Sequence, residues 1–223
     1  MRKILILLFI TSSFNLWSQN KVELLNKGIE MYDQKDYTEA EYYFKQAIEK
    51  DNQYYKGNLN TGHSLFRQAI DLLNSGDTLG HKKLEEAEMF YKTSSSLTEN
   101  DKQKAESFYN EGNAQLLGQK LEESIENYKK SLRLVPKNMN AKHNLALAQS
   151  LKKKQEKEKE ENKEQKKENK ENKEQEKQKP QEEELSKEEI DQILQALERE
   201  EKEVQEDLQK KKVIGNNKLL KDW

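Results

Sequence analysis

Three histidines are the side chains of this sequence best suited to metal binding or to proton transfer near neutral pH. His63, His81 and His143 lie far apart in the sequence, and none has another histidine three or four residues away. The chain contains no cysteine that could complete a zinc site or form a disulfide. These residues therefore do not predict a metal site, and we expect no cofactor.

Acidic pairs are the other groups that could take part in acid–base catalysis. Glu85-Glu86 and Glu122-Glu123 fall on the surfaces of predicted helices, where solvated carboxylates are common. The chain has no G-x-S-x-G motif, no phosphate-binding glycine loop and no other nucleophile signature. The sequence therefore predicts a protein that is not an enzyme and has no small-molecule substrate.

Composition limits how much of the chain can enter a folded core. The 223 residues are 37% charged and 32% hydrophobic, whereas a typical globular chain has about 45–50% apolar residues. One modest folded domain with solvated segments fits these values. The 40 basic and 42 acidic residues nearly balance, which argues against nucleic acid as a partner because nucleic-acid-binding domains carry a dominant basic surface.

The N-terminus has the features of a secretory signal peptide. Arg2 and Lys3 precede the apolar run "ILILLFI", and Ser18 is a small residue at a plausible cleavage point. The apolar stretch of about 14 residues is shorter than the roughly 20 that span a bilayer. We therefore expect export with removal of residues 1–18. An uncleaved N-terminal anchor is the alternative.

A 34-residue repeat organises the segment that follows. Residues 21–54 and 105–138 carry small and aromatic residues at the same offsets, and both units resemble the tetratricopeptide repeat at nearly every signature position. A small residue lets the two helices of a unit approach closely, and the aromatic residue fills the remaining space. The predicted packing residues are Gly28, Ala40, Phe44 and Ala47 in the first unit, and Gly112, Ser124, Tyr128, Ser131 and Pro136 in the third.

The middle unit, residues 55–101, contains an insertion. Gly62, Ala87 and Tyr91 match the repeat, but Gly62 and Ala87 are 25 residues apart, against 12 for Gly28 and Ala40. The stretch "LLNSGDTLGHK" indicates a turn, so we predict a lengthened first helix and a longer connection. Residues 139–151 resemble the first helix of a fourth unit and are predicted to cap the solenoid.

The remainder of the chain is a charged spacer and an amphipathic helix. Residues 152–179 consist entirely of 12 Lys, 9 Glu, 4 Gln and 3 Asn, a composition that cannot form a core and could be a fraying helix or a coil. A helix is then predicted within residues 185–212, because Ser186 and Glu189 form a capping box. Its apolar stripe consists of Ile190, Ile193, Leu194, Leu197, Val204 and Leu208, interrupted at Glu201.

The sequence thus predicts an all-α protein in five parts. They are the signal peptide, a short tetratricopeptide-repeat solenoid at residues 19–151, a spacer at 152–184, a separate amphipathic helix at 185–212 and a basic tail at 213–223 that ends in Lys-Asp-Trp at Trp223. The spacer favours a detached helix that binds a partner. Docking of the helix on its own solenoid is the alternative.

This order of segments, with the closing "KDW", resembles the BatC-type proteins of the Bat aerotolerance operon of Gram-negative bacteria. The resemblance implies a non-enzymatic periplasmic scaffold linked to oxygen or envelope stress, with inner-membrane association as an open alternative. Its implied partners are membrane proteins of the same operon that contain von Willebrand factor A domains. A coiled-coil oligomer formed through the C-terminal helix, or an export or envelope-assembly cofactor unrelated to stress, are the rival functions.

Partner contacts are expected on the face formed by the first helix of each unit. Carboxylate-binding repeats use Lys and Asn at the fifth and ninth positions of the first unit, where this chain has Leu25 and Ile29, so an apolar helix or extended segment is the expected ligand. The predicted groove residues are Leu25, Ile29 and Tyr32 in the first unit, Leu59, His63, Phe66 and Arg67 in the second, and Tyr109, Asn113 and Leu116 in the third.

Export predicts a mature chain that begins near Gln19, since the basic residues and the short apolar run would be removed together. Mass spectrometry of the protein isolated from the cell envelope measures this directly. Recovery of a chain that still begins with Met1 would contradict cleavage and support the anchor.

Overall fold

The computed structural model describes residues 20–170 together with Ile193 and Gln195, and its residues 20–170 form seven α-helices without a strand. The helices are α1 (Lys21–Asp33), α2 (Tyr37–Lys50), α3 (Tyr55–Asn74), α4 (Leu79–Ser96), α5 (Asp101–Leu117), α6 (Leu121–Leu134) and α7 (Met139–Lys170). The all-α prediction is therefore confirmed. The predicted signal peptide, the spacer beyond residue 170, the basic tail and most of the C-terminal helix lie outside the described residues.

The first six helices form three hairpins, in which each helix packs against the next one in the chain. Short connections make such neighbours antiparallel. Side-chain caps mark the starts of α1, α2 and α5, where Asn20, Asp36 and Asn100 accept hydrogen bonds from backbone N–H groups of the first turn. The three hairpins span residues 21–50, 55–96 and 101–134.

The turn inside each hairpin has the same backbone structure. Lys35 and Gln119 have φ of 63° and Gly76 has φ of 78°, and each residue directly follows the C-cap of the first helix. The next residue donates its backbone N–H to the carbonyl five residues earlier in all three hairpins, from Asp36 to Met31, Asp77 to Leu72 and Lys120 to Gln115. This is the Schellman arrangement, which satisfies carbonyl groups left free at a helix end.

The middle hairpin accommodates its insertion by lengthening both helices. The first helix has 20 residues, against 13 in the first hairpin, and the second has 18, against 14. The connection, residues 75–78, is only one residue longer than in the other hairpins, because Gly76 makes the same tight turn. Gly80 lies inside α4, where an added Cβ would be 2.6 Å from the side chain of Leu73.

A glycine against an aromatic ring joins the two helices of every hairpin. A Cβ added to Gly28 would lie 2.4 Å from the ring of Phe44, one at Gly62 would lie 2.6 Å from Tyr91, and one at Gly112 would lie 2.8 Å from Tyr128. All three rings are fully buried. The other predicted packing residues, Ala40, Ala47, Ala87, Ser124 and Ser131, are also completely buried, and Pro136 follows the end of α6.

The core has two parts. Leu25, Ala40 and Phe44 form a small cluster in the first hairpin, whereas buried residues of α3 to α7 form one larger cluster. Polar contacts connect the first hairpin to the second: the Gln68 amide donates to the Glu41 carboxylate at 2.7 Å, and Lys83 lies 3.3 Å from the same carboxylate.

Helix α7 is both the cap of the repeats and the start of the spacer. Ala141, Asn144 and Ala148 are buried against the third hairpin, and the Asn144 amide donates to the hydroxyl of Tyr109 at 2.9 Å. The helix continues without a break to Lys170, so the first part of the charged spacer is helical. No helix within residues 20–170 is long and apolar enough to cross a membrane.

Replacement of Ala40 by Leu tests the packing of the first hairpin. Ala40 has no exposed surface between α1 and α2, so the larger side chain should lower the free energy of unfolding by about 1–3 kcal/mol through overpacking. Ala146→Leu is the matched control because Ala146 is exposed on α7. Chemical denaturation of the full chain measures both variants, and equal stabilities would contradict this packing.

Candidate protein-binding groove

The first helices of the hairpins, α1, α3 and α5, form the face on which partner contacts were predicted; we call this face the groove. Helix α1 contacts α3, and α7 contacts α5 at the other end. Helices α3 and α5 are joined by the hydroxyl of Tyr55, which lies 3.0 Å from the backbone carbonyl of Gln103 and 3.1 Å from the carboxylate of Glu106. Burial raises the pKa of Glu106.

Four of the predicted groove residues are packing residues instead. Leu25, Leu59 and Tyr109, which share the fifth position of their units, are only 3–6% exposed, and Asn113 is 4% exposed. Their assignment to the partner-binding surface is corrected by this burial, because each is covered by neighbouring helices. A single repeat cannot show this, since the covering atoms come from other units.

Asn113 is also held by hydrogen bonds within the domain. Its side-chain oxygen accepts from the hydroxyl of Tyr128 at 2.9 Å and from the amide of Asn144 at 3.0 Å. Asn144 in turn reaches Tyr109. The network connects α5, α6 and α7, so Asn113 positions the cap rather than a ligand.

The open part of the groove lies on α1 and α3. Ile29 is 40% exposed, and Tyr32, His63, Phe66 and Arg67 are partly exposed. Val22, at the second position of the first unit, is 49% exposed at the same end. It was not among the predicted groove residues, although its repeat position could have identified it. These residues give an aliphatic and aromatic surface.

Two polar groups in the open part are held by aromatic rings. The Arg67 guanidinium lies over the ring of Tyr37, 5.4 Å from its centroid, which in turn packs edge-on against Tyr32 at 5.1 Å. His63 Nδ1 is 3.0 Å from the hydroxyl of Tyr91. Burial of the imidazole lowers the pKa of His63 to about 4, so His63 is uncharged at neutral pH and adds no positive charge.

Leu116, the last predicted groove residue, is completely buried, unlike the residues at the same position of the other units.

Of the predicted C-terminal stripe, only Ile193 is described, and it too is completely buried, as a member of the larger core cluster. The prediction of a detached helix therefore does not hold at Ile193. The positions of Ile190, Leu194, Leu197, Val204, Leu208 and Trp223 are outside the described residues.

A second concave region lies between α4, α5 and α6. It has a volume of about 300 Å³ and is lined by Glu85, Glu88, Met89, Lys92, Glu111, Gln115 and Lys120. Within this region the Lys120 ammonium group pairs with the Glu88 carboxylate at 3.0 Å. In the part of the chain that the structure describes, no group of three His, Asp or Glu side chains could hold a metal ion.

The chain is similar in fold to solved tetratricopeptide-repeat domains. The first TPR of Spaghetti (RPAP3), bound to the HSP90 peptide SRMEEVD, aligns with a TM-score of 0.51 and 24% identity over 60% of this chain and 94% of that one. The first TPR domain of human RPAP3 aligns at 0.51 and 23%, over 61% and 95%. No family model and no curated protein matches. The similarity shows that the chain has the tetratricopeptide-repeat fold.

The low pKa of His63 predicts a specific pH dependence of stability. Unfolded His63 binds a proton near pH 6.5, whereas the folded chain binds it only near pH 4. The unfolded state therefore gains protons first as pH falls, and folding stability decreases between these values. Between pH 7 and 4 the wild type should lose up to about 3 kcal/mol more stability than His63→Gln.

Denaturation of the full chain across this pH range measures the difference. His81→Gln is the control, because His81 is exposed on α4, and this variant should follow the wild type. Parallel pH profiles for His63→Gln and the wild type would show that His63 is not buried in its neutral form.

Proposed function

We propose that this protein is a non-enzymatic scaffold whose groove binds an apolar helix or extended segment of another protein. The observation that carries the proposal is the partly exposed set of Ile29, Tyr32 and Phe66 on adjacent first helices of a tetratricopeptide-repeat fold. Apolar anchors at helical spacing are how grooves of this kind hold an amphipathic segment. Burial of one such anchor is worth about 1.5–3 kcal/mol, so a few suffice for binding.

The groove does not favour an acidic C-terminal peptide, although the first structural neighbour was solved with the peptide SRMEEVD. Leu25 is buried and Ile29 is aliphatic at the positions where carboxylate-binding repeats have Lys and Asn. His63 is neutral at pH 7, and the Arg67 guanidinium already lies over Tyr37. A ligand with aliphatic or aromatic anchors therefore fits this surface better than a carboxylate.

The biological setting we propose is the periplasm, in a Bat-type envelope complex linked to aerotolerance or to oxidative and envelope stress. Support comes from the order of the signal peptide, repeats, charged spacer, acidic helix and terminal "KDW" in the sequence. The proposed partners are membrane proteins with von Willebrand factor A domains. The rivals are an oligomer formed through the C-terminal helix and an envelope-assembly cofactor unrelated to stress.

Site-specific photocrosslinking in intact cells tests both levels of the proposal. A benzophenone amino acid in place of Phe66 should capture a partner, whereas the same group in place of Tyr42 should not. Tyr42 is the matched control because it is aromatic and 54% exposed but lies on α2, outside the groove.

The experiment can contradict the binding groove and the Bat-type setting independently of each other. Equal capture at both positions, or none at Phe66, would contradict a binding groove. Selective capture at Phe66 of identified proteins that lack von Willebrand factor A domains would retain the groove and reject the Bat-type setting.

A further inference from the structure

Two described residues of the C-terminal segment differ sharply in burial. Ile193 is completely buried and belongs to the core cluster of the repeats, whereas Gln195 is exposed. Both residues are helical, and residues two apart on a helix point to nearly opposite sides. Ile193 lies on the predicted apolar stripe and Gln195 lies off it, so at these two residues the apolar side is the covered one.

The exposed side of α7 excludes one docking position. In a complete fourth hairpin, a second helix would cover the eighth and eleventh positions of the unit, which are Ala146 and Gln149. Both are exposed. Ile193 therefore does not complete a fourth hairpin, and it must reach the core from another side of α7.

Another side of α7 carries an apolar pair. Leu147 and Leu151 are one helical turn apart, and both pack into the larger cluster to which Ile193 belongs. Leu151 is 6% exposed although it is the last residue of the predicted cap. Ile193 is the member of that cluster that comes from beyond α7 in the chain.

The third hairpin shows the same additional cover. Leu116 has no exposed surface, whereas Tyr32 and Phe66, at the equivalent position of the first and second units, are partly exposed. The second and third units each have a helical neighbour on both sides, so neighbouring repeats do not account for the difference. The contrast points to additional cover at the end of the groove near α7.

We propose that the C-terminal segment is an intramolecular ligand of the groove. Through Ile193 it occupies the end formed by Leu116, Leu147 and Leu151, and it leaves the end formed by Val22 and Ile29 open. The inference rests on the proposed function of the groove. It adds the chemistry of the bound ligand, an amphipathic helix with an aliphatic stripe, and its regulation by competition.

Chain length permits this contact. From Leu151 to Lys170, α7 extends about 29 Å at 1.5 Å per residue. The chain from residue 170 to Ile193 could span about 75–80 Å if extended, more than enough to return to Leu151. A tethered ligand of this kind has an effective concentration in the millimolar range, so weak docking is sufficient to occupy the site.

Docking of the chain's own segment lowers the apparent affinity for a partner that binds the same surface. If the docked state is favoured tenfold over the open one, a partner helix that also needs the end formed by Leu116, Leu147 and Leu151 binds with roughly tenfold weaker apparent affinity, because only the open fraction accepts it. A shorter ligand of the open end is not affected. A partner that presents the same aliphatic stripe displaces the segment and frees the acidic helix. Residues 181–208, with 12 acidic and 3 basic residues, would then be available for a basic surface.

Thiol reactivity tests the docking directly, because the chain has no cysteine and a single introduced thiol is the only reporter. In the full chain, the thiol of Ile193→Cys should react with a maleimide at least about tenfold more slowly than that of Gln195→Cys, the exposed matched control. This tenfold protection equals the population ratio assumed above. Equal rates for the two variants would overturn the proposal.

A second substitution locates the docking surface. Leu151→Asp combined with Ile193→Cys should raise the labelling rate to that of Gln195→Cys, whereas Ala146→Asp, on the exposed side of α7, should leave protection unchanged. Release by Ala146→Asp but not by Leu151→Asp would overturn the proposed position. A circular dichroism melt of each variant shows that the repeats remain folded.

The dependence of labelling on protein concentration distinguishes docking within one chain from docking between two copies. Protection that does not change on dilution supports docking within one chain, whereas protection lost on dilution would assign the site to a second copy and overturn the proposal. The labelling assay contains no partner, so its failure leaves the groove of the proposed function intact. Failure of crosslinking at Phe66 likewise leaves self-docking intact.

Discussion

The contact between a glycine and a buried aromatic ring is the constraint on which the rest of this structure depends. Phe44, Tyr91 and Tyr128 each occupy the volume that a side chain would need at Gly28, Gly62 and Gly112. This close approach fixes how the two helices of a hairpin face each other. Hairpins built on one contact can stack with a common geometry, and stacking aligns the first helices into a groove. The groove is thus a consequence of core packing rather than a separate device.

The groove does not have the same character along its length. Its first two helices present partly exposed apolar side chains, whereas the third is joined to α7 by the network of Tyr109, Asn113 and Asn144. Polar side chains buried this way must be satisfied, and once satisfied they specify one arrangement. The α7 end is therefore fixed in register, whereas the end near Ile29 and Tyr32 keeps partly exposed apolar side chains.

Much of the fold could be predicted from the sequence because the 34-residue period and the glycine–aromatic offsets are local signals. The insertion could be located but not interpreted, since Gly76 and Gly80 look alike in sequence. Gly76 has a positive φ at a helix end, whereas Gly80 lies within α4 against Leu73. The groove was predictable only in part, because exposure at one repeat position depends on atoms from other units. Burial of Ile193 depends on a contact between residues distant in sequence, which no periodicity encodes.

The division of the core into two clusters gives the domain a weak boundary. Leu25, Ala40 and Phe44 do not join the larger cluster, and Glu41, Gln68 and Lys83 make polar links across the junction. In a linear array, stability is a sum of unit and interface terms, so a terminal unit with a small core opens first. We therefore expect helices α1 and α2 to open locally as one cooperative unit. Ile29 and Tyr32 belong to that unit. A ligand that binds them would stabilise its closed state, and part of the binding free energy would offset the conformational entropy lost when the unit becomes ordered.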